Sequence, residues 1–62
     1  MTKIQNQEYA SSVGKEVFIA VNYAFQYYGK IISADDVYVN IIDFKFGRPQ
    51  RIRLCTIKYG FY

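Results

Sequence analysis

The stretch from residue 27 to residue 40, YYGKIISADDVYVN, constrains the fold most. It joins two apolar patterns of period two through one glycine and a pair of aspartates. Side chains two apart on a strand share a face. Tyr27 and Ile31 share one across Gly29, and Val37, Val39 and Ile41 alternate with Tyr38, Asn40 and Ile42. A glycine inside such a pattern marks a sharp bend or a close backbone approach, and Asp35-Asp36 reads as a turn. The same period runs earlier, where Val17, Ile19 and Val21 alternate with Phe18, Ala20 and Asn22, as in a strand with one face inward. Phe25 joins Tyr27 and Ile31 on the inner face of the second strand. The third strand runs on through DFKF to a turn at GRPQ. A fourth, RIRL, puts Ile52 and Leu54 inside and Arg51 and Arg53 outside, and Cys55-Thr56 kinks the chain into a fifth, IKYGFY. Ahead of the strands, residues 3 to 12 are expected to form a short helix, with Thr2 as N-cap and Ser11-Ser12 before Gly14 as the stop.

Five short antiparallel strands bent at glycines can close on themselves as a small barrel. A helix ahead of the first strand, with hairpin-length connections after it, favours an SH3-like or Sm-like barrel over an OB barrel. The expected fold is therefore mainly β, a short N-terminal helix region over 1–13 and a strongly bent five-stranded antiparallel barrel over 14–62, in a single domain.

A chain of 62 residues buries only about 60% of the surface it exposes when unfolded. Domains this small are usually held by disulfides, a metal or oligomerisation. Cys55 is the one cysteine and there is no histidine, which excludes an intramolecular disulfide and a zinc site of Cys and His ligands. Association remains, and seven tyrosines and five phenylalanines are more aromatic surface than such a domain can hide alone. No apolar run reaches the ~18 residues of a membrane span, and MTKIQNQEYASS lacks the apolar segment of a signal peptide. A cytoplasmic protein without a membrane partner is expected. The net charge is +3, and Lys45, Arg48, Arg51, Arg53 and Lys58 all follow the last acidic residue, Asp43. A purely basic C-terminal third suits a polyanionic partner. Catalysis is not expected, because the chain offers no nucleophile paired with a base and Asp35-Asp36 lie side by side along a turn. No cofactor and no metal are expected either.

From Gly14 onward the sequence resembles the first conserved segment of the Sm/LSm proteins. GKEVFIAVNYAFQYYGKI carries Gly14, then Val17, Ile19 and Val21, then Tyr27, Gly29 and Ile31 at the family's spacing. SADDVYVN is similar to the family's aspartate-x-aromatic-apolar-asparagine signature, with Asp36, Tyr38, Val39 and Asn40 on it. One residue more than usual separates Gly29 from Asn40, so Asp35 and Asp36 both stand as candidates for the aspartate position. IRLCTIKY resembles the second segment at Ile52, Arg53, Ile57 and Tyr59, with Leu54 where the family has glycine. The short link between the segments also resembles the compact bacterial Hfq branch, whose tyrosine-lysine-histidine is missing here. The resemblance covers about residues 14 to 59.

That resemblance implies a hexameric or heptameric ring of copies of the chain, in which the fourth strand of one subunit pairs with the fifth of the next. It also implies short, uridine-rich single-stranded RNA held at pockets around a central pore. Tyr38 would supply a stacking plane, Asn40 the hydrogen bonds to a uracil edge, and Arg53 a second plane and positive charge. Asp36 would orient the loop, while Lys58 or Arg51 would meet phosphates. Two other classes compete: a structural ring that keeps the fold without binding RNA, and a monomeric SH3-like adaptor for peptides.

Overall fold

The apolar alternation becomes five antiparallel strands in one open sheet in the computed structural model, which describes residues 2–22 and 25–62. The strands are β1 (Glu16–Ala20), β2 (Gln26–Ala34), β3 (Tyr38–Asp43), β4 (Pro49–Arg53) and β5 (Tyr59–Phe61). Their order across the sheet is β4-β3-β2-β1-β5, so a four-stranded meander is completed by a fifth strand returning beside the first. One face of the sheet is apolar. Val17, Ile19, Ile31, Val39, Ile41 and Ile52 point into it and meet Leu54, Ile4 and Tyr9 to form the core. Burying each of these aliphatic side chains contributes about 1.5–3 kcal/mol.

Gly29 lets β2 and β3 approach each other. It pairs with Asp43, and a Cβ there would overlap the Ile42 carbonyl oxygen. Two residues on, the register shifts between Ile31 and Ser33, leaving Ile32 exposed on a bulge. A bulge bends its strand and raises the local twist. The close approach and the bulge together curve the middle of the longest strand.

The N-terminal region departs from the expected helix over 3–12. It forms two 3-10 turns, Asn6–Glu8 and Ala10–Ser12, and no long helix occurs among the described residues. The serines explain much of this. Ser11 and Ser12 hydroxyls both donate to the Glu8 carbonyl, at 3.0 and 2.8 Å, which offers the backbone an alternative to helical bonding. Glu8 is taken up locally as well, its carboxylate accepting the Gln5 N–H at 2.9 Å. Only Ile4 and Tyr9 of this region are large buried side chains, too few to make a helical stripe. Thr2, expected as a helix cap, instead pairs through its backbone with Tyr62.

Two strand-face expectations also change. Phe25 lies before β2 and is 58% exposed; its N–H is held by the Asn22 side chain at 3.0 Å and its carbonyl accepts the Val21 N–H, which makes it part of the β1–β2 turn. Val37 sits in the turn before β3 and is exposed. The expected kink at Cys55-Thr56 is a 3-10 turn, Leu54–Thr56.

The sheet's two margins differ. No further strand pairs with β4 among the described residues. Beyond β5, however, Thr2, Lys3 and Ile4 run antiparallel along its outer edge: Thr2 and Tyr62 exchange N–H to carbonyl bonds at 2.8 and 2.9 Å, and the Ile4 N–H donates to the Gly60 carbonyl at 2.8 Å.

Candidate nucleic-acid interface

Because Val39 and Ile41 point into the core, Tyr38 and Asn40 project from the opposite face of β3. The pairing register then decides their neighbours. Tyr38 stands opposite Arg53, and Asn40 stands opposite Arg51 on one side and Ser33 on the other. Ile52 is buried between the two arginines, so both guanidinium groups rise on the face that carries Tyr38.

Side chains fill in this cross-strand cluster. The Arg51 guanidinium carbon lies 4.7 Å from the centre of the Tyr38 ring and that of Arg53 lies 5.8 Å away, both within cation–π range. Arg53 Nη2 donates to the Tyr38 hydroxyl at 3.4 Å, and this bond raises the Arg53 pKa above its ordinary value. Asn40 Nδ2 donates to Ser33 Oγ at 2.9 Å, and Asn40 Oδ1 accepts from Arg51 Nε at 3.4 Å. A side-chain amide has two N–H donors and two acceptor lone pairs. One donor and one lone pair of Asn40 have no partner among the described residues.

The loop before Tyr38 is built by Asp35. Its Oδ1 accepts the N–H groups of Val37 and Tyr38 at 2.8 and 2.7 Å, while its own N–H donates to the Tyr38 carbonyl at 2.8 Å. These two backbone bonds to the carboxylate lower the Asp35 pKa, Tyr38 having the larger effect. The loop-orienting part expected of Asp36 thus falls to Asp35. Asp36 is exposed and lines a groove with Asn6, Gln7, Ala34, Leu54 and Cys55.

Tyr38, Asn40 and Arg53 lie together on one face, and Arg51 lies with them. Lys58 is not part of this cluster. It lies near β5, where its N–H donates to the Ala20 carbonyl and it lines a groove with Lys3, Gln5 and Tyr59. Leu54 is 6% exposed and belongs to the core. Ser33 escaped the sequence reading because only the bulge in β2 places it opposite Asn40. A second exposed aromatic group also emerges: Tyr28 and Phe44 meet edge to face at 5.3 Å, with Phe25 and Phe46 around the same groove. Comparison of the chain with protein-family models, with curated proteins and with solved structures finds no match.

Proposed function

We propose that the chain is an Sm-like subunit with a small-barrel fold. It assembles head to tail with its own copies through β4 and β5, and it holds short, uridine-rich single-stranded RNA on the face formed by Tyr38, Asn40, Arg51 and Arg53. The observation that carries the binding half is the tyrosine flanked by two guanidinium groups, with a half-satisfied amide two residues along the same strand face. Unstacked bases are held on aromatic or guanidinium planes and recognised along their edges. The assembly half is supported by strand order, since β4 and β5 are the first and last strands of the sheet. A head-to-tail contact between them closes into a ring when the rotation closes. That pairing would also carry Lys58 of one copy toward the β4 arginines of the next, which gives Lys58 a phosphate role that a single copy does not offer.

A structural assembly without RNA is the second reading, favoured by Asn40 already being bonded to both Ser33 and Arg51. Fluorescence anisotropy with oligouridine and oligoadenine at moderate salt separates the two. RNA binding predicts that Tyr38→Ala loses about 1–3 kcal/mol per stacked base, while Asn40→Ala reduces preference for uridine more than total affinity. Arg51→Ala and Lys58→Ala should each flatten the salt dependence by about one unit of slope. No binding to either oligomer, or equal binding that Tyr38→Ala leaves unchanged, favours the structural assembly.

A further inference from the structure

The outer edge of β5 offers backbone groups that can serve one strand at a time. In the single chain it is filled by Thr2–Ile4. The Tyr62 N–H and carbonyl face Thr2, and the Gly60 carbonyl faces the Ile4 N–H. An N–H carries one proton, so Tyr62 cannot serve this segment and a second strand at the same time.

At the other margin of the sheet, β4 presents a complementary set. Leu54 donates to Val37 and Arg48 accepts from Asp43, so even-numbered residues of β4 bond inward to β3. By the alternation of an antiparallel ladder, Arg51 and Arg53 turn their backbone groups outward. The Arg53 carbonyl is occupied by the Thr56 hydroxyl at 2.6 Å, and Pro49 has no N–H to give. The Arg51 N–H and carbonyl, the Arg53 N–H and the Pro49 carbonyl remain, a short edge that suits a short partner strand.

The segment on β5 is held by three backbone hydrogen bonds and one core side chain. Thr2 and Lys3 are exposed, and Ile4 alone anchors it in the core. The strand beneath it is fixed independently, by pairing with β1 and by the Lys15 ammonium 3.9 Å from the centre of the Tyr62 ring. We infer that Thr2–Ile4 is a displaceable edge strand: bound in its own chain it caps β5 and opposes assembly, and once displaced it frees β5 for β4 of a second copy. Exposed sheet edges invite association and are commonly covered for that reason. Here the cover is part of the same chain, so assembly is set by competition between the two strands. This inference rests on the head-to-tail pairing proposed above.

Lys3 and Phe61 stand directly opposite each other, a relation close enough for a disulfide. The test protein is Lys3→Cys/Phe61→Cys with Cys55→Ser, so that only the intended bond forms. Its association is followed by sedimentation velocity across a concentration series, oxidised and then reduced. A second variant deletes residues 2 and 3 and keeps Ile4, which spares the core. The oxidised protein should stay monomeric while its reduced form assembles. The deletion should assemble at roughly tenfold lower concentration than the parent chain, as expected for two lost backbone hydrogen bonds at the low end of their net strength. Assembly of the oxidised form equal to that of the reduced form overturns the β4–β5 pairing together with the edge strand, because the locked segment still holds the Tyr62 N–H; an oxidised form that stays monomeric beside an unshifted midpoint in the deletion overturns the competition and leaves the head-to-tail pairing standing. Monomers throughout, in the parent, the reduced form and the deletion alike, overturn both.

Discussion

Replacing Tyr9 with phenylalanine should make the protein more stable. Tyr9 is fully buried and its hydroxyl has no hydrogen-bond partner among the described residues. A buried polar group left unpaired costs about 1–3 kcal/mol. Removing the oxygen gives up only a few dispersion contacts of about 0.1–0.2 kcal/mol each, so Tyr9→Phe should gain about 1 kcal/mol. For a domain of this size that raises Tm by about 4–8 °C. The hydroxyl also explains Gly60, whose Cα it faces so closely that a Cβ would collide with it. Gly60→Ala alone should therefore cost about 1–3 kcal/mol, as overpacking does. In the Tyr9→Phe background the nearest ring atom to the added methyl is Cζ at 3.3 Å, a contact that a small shift relieves, and most of the cost should disappear. Urea unfolding followed by circular dichroism, at one protein concentration, measures all four corners of this cycle. A second signature comes from pH. Burial pushes the Tyr9 pKa up, so above pH about 10 the unfolded chain loses this proton first. Stability held at lower pH should decline there, and less steeply in Tyr9→Phe. A less stable Tyr9→Phe protein, or a Gly60→Ala cost that is the same in both backgrounds within about 0.5 kcal/mol, would refute the reasoning.

Two further substitutions probe the loop and the bend. Asp35→Ala should lower Tm and Asp36→Ala should leave it unchanged, because only Asp35 holds the N–H groups of Val37 and Tyr38. The Asp35 pKa is lowered in the folded chain, so its contribution is present above the unfolded value and lost as pH falls through about 3.8 and below; acid unfolding of Asp35→Ala should accordingly show a weaker pH dependence than that of the parent, and an equal one counts against the assignment. Gly29→Ala should be severe, at the upper end of the ~1–3 kcal/mol of overpacking or beyond, since the added methyl meets backbone of β3 rather than a side chain that can turn away; a soluble variant with unchanged Tm would show that β2 and β3 do not approach as described.

The sheet was legible because period two is a local signal. Val17 and Ile19 in β1, Val39 and Ile41 in β3, and Ile52 in β4 are all inward, as their alternation predicts. Gly29 was legible for a related reason, since a residue without a side chain in the middle of a strand needs a steric cause. The helix is expected because Gln, Asn and Glu at positions 5 to 8 have acceptable propensity, which carries no sign that two adjacent serine hydroxyls, three and four residues on, both turn back to the Glu8 carbonyl. Phe25 and Val37 were misplaced for another reason. Each stands one residue outside its strand, where a side-chain acceptor, Asn22 or Asp35, captures the backbone N–H and ends the alternation.

The candidate site was half legible, and the dividing line is register. That Tyr38 and Asn40 share a face follows from their spacing within β3, as does the pairing of Arg51 with Arg53 on β4. Which arginine meets which partner depends on how the two strands align, and that is fixed by the turn through Phe44, Lys45 and Phe46, where the buried Asp43 carboxylate accepts the Lys45 N–H at 2.7 Å. A slip of one residue in that turn would send both arginines to the core face. Asp43 is therefore as necessary to the proposed stacking face as the residues on it, although it lies at the far end of β3 from Tyr38. The bulge in β2 acts on the other flank, bringing Ser33 rather than Ile32 opposite Asn40. Ser33 and Arg51 hold the two ends of the Asn40 amide, where an apolar residue in place of Ser33 would leave only the longer bond from Arg51. The two features that sequence reading could not align, an acidic residue in a turn and an extra residue in a strand, are those that set the geometry of the cluster.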